Sequence, residues 1–151
     1  MTGPVRPGRL AALALRPGGV TADVAVAAAG ARLAAIQDRT LAEIDDALAR
    51  IQAISLRLAD QPDGEALQEL YVLANAVFGV AGLFGLETLG AVSYSLCELI
   101  DRLHATGAWR LAAVRVHLDS LGLARHASPG SAAQRAVLDG LRRVTDSVPP
   151  G

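Results

Sequence analysis

The chain has 151 residues, enough for one domain with a substantial hydrophobic core. Apolar residues make up 52% of it and aromatic residues only 3%, a balance that favours packed helices over a β-sheet. The 14 basic residues, all of them arginine, and the 15 acidic residues give a net charge of -1. Without a basic cluster, this composition argues against a nucleic-acid-binding surface.

The chain lacks the residues that common metal and catalytic sites need. Cys97 is the only cysteine, which excludes an internal disulfide and a cysteine-based metal site, and we expect a reducing, cytoplasmic environment. The sequence contains no P-loop, HExxH pair or GxSxG elbow. We therefore expect no cofactor, no bound metal and no enzyme activity.

In chain order, the first feature is a short apolar run, Leu10–Leu15, in a segment that we predict to be a disordered leader over residues 1–20. The pattern Thr40-Leu-Ala-Glu43 is typical of a capping box and predicts a helix from about Thr40 to Ala59. The alternative is one longer helix that includes the alanine-rich segment Ala22–Ile36. After the turn residues that follow, Asp63 is placed to cap the next helix.

Three more amphipathic helices follow the helix that Asp63 begins. Gly85 and Gly107 are expected to end two helices as C-caps. Helices joined by short turns predict an all-α antiparallel bundle, which we place in one domain over 21–147 with a tail at 148–151. The apolar steps of three and four residues that mark the three helices run over Leu89–Leu103, Leu111–Leu121 and Val137–Val144.

The segment Leu70–Leu86, LYVLANAVFGVAGLFGL, contains one polar side chain, Asn75, among apolar residues and glycines. At about 100° per residue, Asn75 lies about 200° from Leu73 and from Val77, which belong to an apolar stripe suited to a core. We therefore predict that Asn75 faces solvent. Three residues share its side of the helix: Tyr71, Phe78 and Gly82.

This uncharged helix face has two interpretations. As an exposed patch it marks a partner surface, on which Gly79 and Gly82 leave room for another protein's backbone. As part of a central helix it is covered by the segment Ala22–Ile36, and the glycines permit tight helix crossing. A membrane span is not expected, because Glu69 and Glu87 flank the segment and the nearest arginines are distant.

Residues 75–85 read N-A-V-F-G-V-A-G-L-F-G, and the histidine phosphotransfer (HPt) family has H-x-x-K-G-x-x-x-x-x-G in the same frame. The chain resembles this family over about residues 40–125. The resemblance implies an HPt-like four-helix core, here with additional N- and C-terminal helices. Gly79 and Gly85 match the family pattern, while Asn75 stands at the position of the phospho-accepting histidine and Phe78 at that of the lysine.

The resemblance therefore implies a pseudo-HPt protein. The carboxamide nitrogen of Asn75 is a donor only and cannot form the phosphoramidate that an imidazole forms. Burying a phenylalanine is worth about 1.5–3 kcal/mol and an exposed ion pair about 0–1, so the face is better suited to binding than to reaction. The expected partner is a response-regulator receiver domain or a histidine kinase. The expected binding residues are Tyr71, Asn75, Phe78, Gly79 and Gly82.

Two alternatives remain at this stage. The first is an active phosphotransfer protein that uses His117, although no glycine follows four residues later and no basic residue three residues later. A hydrogen-bonded packing role is favoured for His117, and a buried, inert position for Cys97. The second alternative is a homodimeric helical scaffold that pairs through the apolar face.

Overall fold

The structure, a computed structural model, describes residues 21–58, 63–127 and 130–150. These residues form five α-helices and one 3₁₀ turn, with no strand among them, so the predicted all-α bundle is confirmed. The predicted leader over residues 1–20 lies outside the described residues. The helices are α1 (Ala22–Ser55), α2 (Gly64–Ala81), α3 (Glu87–Thr106), α4 (Leu111–Ala124) and α5 (Ala132–Asp146), and the 3₁₀ turn is Gly82–Phe84.

The chain divides into two compact units, Met1–Asp38 and Arg39–Gly151, and the predicted domain over 21–147 spans the boundary between them. In the first unit the described residues form the N-terminal half of α1. Thr21 caps this helix, because its Oγ1 accepts a hydrogen bond from the N–H of Val24 at 3.4 Å. Every residue from 21 to 38 is exposed, so no apolar side chain is buried in this half of α1.

The start predicted for a helix at Thr40 is wrong, because α1 is continuous from Ala22 to Ser55. A capping box needs a non-helical backbone at its first residue, and nothing before Thr40 interrupts the helix. Eight of the 18 residues from Ala22 to Arg39 are alanine, the strongest helix former, and none is proline. The alternative of one long helix that includes Ala22–Ile36 is therefore confirmed.

The core of the second unit is organised around α3, which packs against α2, α4 and α5. The part of α1 in this unit adds three buried isoleucines, Ile44, Ile51 and Ile54. Its carboxylate Asp45 receives two hydrogen bonds from Arg125 at 2.7 and 3.3 Å, and these bonds lower the pKa of Asp45. The most deeply buried apolar residues of α3 are Leu89, Val92, Leu96, Leu99 and Ile100.

The predicted helix caps agree with the structure with one exception. Asp63 caps α2 by accepting hydrogen bonds from the N–H groups of Glu65 and Ala66. Gly107 ends α3 in the left-handed conformation, with φ of 64°. Gly85 is also left-handed, with φ of 71°, but it follows the 3₁₀ turn, so α2 itself ends earlier than predicted, at Ala81.

The end of α5 is attached to α3 through the guanidinium of Arg102. It donates hydrogen bonds to the carbonyls of Thr145 and Val148 at 3.1 and 3.0 Å. It also forms ion pairs with Glu98 at 2.6 Å and with Asp146 at 3.2 Å. Because these carbonyls lie in the last turn of α5 and just after it, where a positive charge is favourable, Arg102 acts as a C-terminal cap from a neighbouring helix.

Candidate functional site

The exposed side of α2 follows from how its sequence distributes apolar side chains. Leu70, Leu73 and Val77 recur at three- and four-residue steps and are buried in the core. The opposite side of the helix is left facing outwards. We name this surface the α2 outer face and define it by the residues predicted for partner binding: Tyr71, Asn75, Phe78, Gly79 and Gly82.

Four of these five residues are exposed, which confirms the prediction that Asn75 faces solvent. Within the described residues the Asn75 amide makes no hydrogen bond. Tyr71 differs, because it is half-buried and packs against the core. Its backbone carbonyl accepts a hydrogen bond from the Cys97 thiol at 3.8 Å, which places Tyr71 at the edge nearest α3.

A second aromatic ring extends the α2 outer face onto the neighbouring helix. Tyr94 of α3 lies against Phe78, with ring centroids 5.3 Å apart and a tilt of 48° between the planes. Both rings are largely exposed, Phe78 at 45% and Tyr94 at 54%. Tyr94 was not predicted from the sequence, and neither were the exposed apolar side chains Val72 and Leu83 on the other flank. The angular positions of Val72 and Leu83 around the helix, relative to Asn75, could have predicted that both side chains are exposed.

The two glycines of the α2 outer face have no packing role against the described residues of the second unit. A Cβ placed on Gly79 or on Gly82 meets no atom within 4 Å. The close approach between α2 and α3 occurs elsewhere, at Gly90, where an added Cβ would lie 3.5 Å from the Cβ of Ala81. Within the described part of the second unit, Gly79 and Gly82 therefore permit no tight helix crossing, and the interpretation that the segment Ala22–Ile36 covers them stays a prediction.

Gly79→Ala is expected to raise the free energy of unfolding by about 0.5–1 kcal/mol, because alanine is the better helix former and its methyl group meets nothing here. Urea unfolding followed by circular dichroism measures the change. Gly90→Ala is the matched control. The methyl group there contacts Ala81, so the free energy of unfolding is not expected to rise by the same amount. A destabilised Gly79→Ala protein would show that a neighbour does occupy this position.

The α2 outer face carries no formal charge. No charged side chain occurs in the sequence between Glu69 and Glu87. The Glu69 carboxylate accepts a hydrogen bond from Arg50 of α1 at 2.9 Å, so this acidic group is already paired. The polar groups that the face offers a partner are the Asn75 amide, a donor and an acceptor, and the hydroxyl of the adjoining Tyr94.

His117 lies in a separate, buried cluster. It is completely inaccessible, and its Nδ1–H donates to the carbonyl of Ala113 at 2.9 Å. Its Nε2 is therefore an acceptor, and the hydroxyls of Ser95 and Thr145 lie 3.0 and 3.2 Å from it and 3.3 Å from each other. Burial lowers the pKa of His117. The predicted hydrogen-bonded packing role is confirmed, and a ring nitrogen in this environment is not accessible to a phosphoryl donor.

Cys97 and the acidic residues offer no chemical site. Cys97 is buried, and burial raises the pKa of its thiol to about 11, which keeps it protonated and inert. The predicted buried position of Cys97 is confirmed. In the part of the chain that the structure describes, no group of three or more histidine, cysteine, aspartate or glutamate residues could hold a metal ion.

One helical stretch in the described residues, Gly64–Phe84, is long and apolar enough to cross a membrane by length and composition alone. About a third of its most apolar part, 33%, is buried inside the chain. Core helices of proteins outside membranes can have the same composition. The expectation that this helix does not span a membrane stays a prediction.

The described residues form an all-α helical bundle in which α2 carries an uncharged, largely apolar outer face. No protein-family model, curated protein or solved structure was found to match the chain. The resemblance to the HPt family therefore stays a prediction from the sequence.

Proposed function

We propose that this protein is a non-catalytic, HPt-like binding protein that docks on a receiver domain or a histidine kinase and modulates two-component signalling without phosphotransfer. The observation that carries the proposal is the α2 outer face. A Cβ added at Gly79 or Gly82 would meet no described residue, and a glycine inside a helix, as Gly79 is, costs stability relative to alanine. Close approach of a partner's backbone supplies the missing reason. A cytoplasmic location suits such a partner.

The chemistry of the face favours binding over reaction. Asn75, at the position of the family's phospho-accepting histidine, is exposed but has no nucleophilic nitrogen. Phe78, at the position of the lysine, offers a half-exposed ring that is supported by Tyr94 rather than a positive charge. A partner that covers these two rings removes apolar area from water. We therefore assign binding to the α2 outer face and no catalytic role to any residue.

The size of the face favours a transient complex. The 18 residues of α2 give a helix about 27 Å long and about 10 Å wide. The area of one face of such a helix is smaller than the roughly 800 Å² that each partner buries in a stable complex. Contacts from Tyr94 and the adjoining flank enlarge the surface but do not make it a large interface. Reversible signalling contacts are commonly of this smaller size.

Phe78→Asp is expected to weaken binding of the partner receiver domain or kinase by about tenfold or more, because it places a charge where an apolar ring is covered. Isothermal titration calorimetry with purified receiver domains and kinases from the same organism measures the affinity. Val116→Asp on α4 is the matched control, since Val116 is exposed to the same 45% as Phe78. Equal affinities for Phe78→Asp and the wild type would refute a docking role for this face.

The receiver assignment itself is tested by restoring the histidine. If α2 presents residue 75 as HPt proteins present their histidine, Asn75→His should accept a phosphoryl group from a phosphorylated receiver, giving an acid-labile, base-stable label. The wild type should remain unlabelled, and Asn75→Gln is the control that cannot react. Binding that Phe78→Asp abolishes, combined with no label on Asn75→His, would retain the binding surface and reject the HPt-like orientation.

A further inference from the structure

Within the first unit, no described residue covers the N-terminal half of α1. Its apolar side chains Val26, Leu33 and Ile36 are 72%, 67% and 51% exposed. Most helical stability in proteins comes from tertiary packing of an apolar face, and this segment has no such packing within its unit. The glycine in its interior, Gly30, also has no atom within 4 Å of its Cβ position. These exposed apolar residues and the unexplained glycine lie in one segment, residues 22–38.

The exposed apolar residues follow a heptad pattern. Val26 and Leu33 are seven residues apart, as are Ala29 and Ile36, and the two series are offset by three residues. This is the spacing of the a and d positions of a coiled coil. We call the row of a and d residues, Val26, Ala29, Leu33 and Ile36, the seam. Val24, although 57% exposed, lies about 160° around the helix from Val26 and does not belong to the seam.

We propose that residues 22–38 of two copies of this chain pair as a parallel two-helix coiled coil. The flanking positions favour a second copy in this orientation. In a parallel pair each g residue lies near the e residue five positions on in the other chain, which brings Arg32 near Gln37 and Ala25 near Gly30. No like charges meet. An antiparallel pair centred on this seam places Arg32 near Arg32 of the other copy, which is unfavourable.

The packing layers also suit identical chains. Val26, Leu33 and Ile36 each meet their own equivalent, which gives large apolar layers on both sides of the Ala29 layer. Beside Ala29, the small residues Ala25 and Gly30 let the two backbones approach, so the glycine has a role that the single chain does not provide. Two heptads are few for a coiled coil, and the dimer is accordingly weak and reversible.

The coiled coil is independent of the proposed function, and sedimentation equilibrium of the full chain tests it. The weight-average mass should rise from the 15.5 kDa of one chain towards twice that value as concentration increases through the micromolar range. Val26→Asp should raise the dimer dissociation constant by about tenfold or more, while Val24→Asp, two residues away but off the seam, should leave it unchanged. A wild type that stays at the monomer mass at high micromolar concentration overturns the proposal.

Disulfide trapping tests the orientation. In a Cys97→Ala background, Ala29→Cys places the two thiols across one layer of a parallel pair, within reach of a disulfide, whereas Ala31→Cys points away from the seam. Oxidation should give a covalent dimer for Ala29→Cys and little for Ala31→Cys. Equal yields from both variants, or none from Ala29→Cys, overturn the parallel arrangement.

A dimer formed through the α2 outer face is distinguished by Phe78→Asp. Under the coiled-coil proposal, Phe78→Asp leaves the dimer dissociation constant unchanged, and Val26→Asp leaves the binding of a receiver domain to the α2 outer face unchanged. If Phe78→Asp abolishes self-association and Val26→Asp does not, the coiled coil is overturned and the α2 outer face is the dimer interface.

Discussion

Leu96→Ala is expected to lower the free energy of unfolding by about 2–5 kcal/mol. Leu96 is fully buried on α3, the helix that contacts α2, α4 and α5. Removing three carbons there leaves a cavity, and helices held on several sides cannot move in far enough to close it. A loss of this size is a large fraction of the total stability of a single domain. Urea unfolding followed by circular dichroism gives the difference from the wild type.

Leu123→Ala is the matched control for this experiment. The same three carbons are removed, but Leu123 is 72% exposed on α4, so the change in the free energy of unfolding should stay within about 0.5 kcal/mol. If Leu96→Ala and Leu123→Ala cost the same, α3 does not hold the centre of the bundle. A loss of cooperativity in Leu96→Ala alone would still identify Leu96 as a core residue.

The helices of the second unit could be predicted because the sequence patterns that define them are local. The apolar spacing on α2 and α3 and the capping residues Asp63 and Gly107 each depend on residues a few positions apart. The start predicted at Thr40 failed for a related reason. A capping sequence competes with continuation of the helix, and the alanine-rich residues before Thr40 favour continuation.

The candidate site was predictable only where a single helix determines exposure. The angular position of Asn75 and Phe78 on α2 was enough to place both residues outside the core. The half-burial of Tyr71 and the contact between Phe78 and Tyr94 depend on how α3 packs against α2. Periodicity along one helix contains no information on that contact, so Tyr94 was missed.

The side-chain hydrogen-bond partners of His117 could not be predicted from the sequence either. Ser95 is 22 residues before it and Thr145 is 28 residues after it, on two other helices. The position of His117 beside the core residue Leu118 indicated a packing role but did not identify the partners. Only the packing of α3, α4 and α5 brings these polar groups together, and the cluster therefore reports on the integrity of that packing.

Acidification from about pH 7 to about pH 5 is expected to destabilise the protein through His117. Burial lowers the pKa of His117 in the folded chain from its ordinary value of 6.5, which applies to the unfolded chain. Above 6.5 the ring is neutral in both states and has no effect. As the pH falls below 6.5, the unfolded chain binds a proton that the folded chain excludes, so stability falls until the pH drops below the folded pKa.

The same protonation would reverse the hydrogen bonds at Nε2. A charged imidazole donates from both nitrogens, so the hydroxyls of Ser95 and Thr145 would have to turn and accept, while the charge itself stays buried. The loss is at most about 1.4 kcal/mol for each pH unit between the two pKa values. Urea unfolding at several pH values measures it, with His117→Gln as the variant that cannot titrate and His104→Gln, at an exposed position, as the control. His117→Gln should flatten the pH dependence in this window, and an equal flattening in His104→Gln would contradict its assignment to the buried ring.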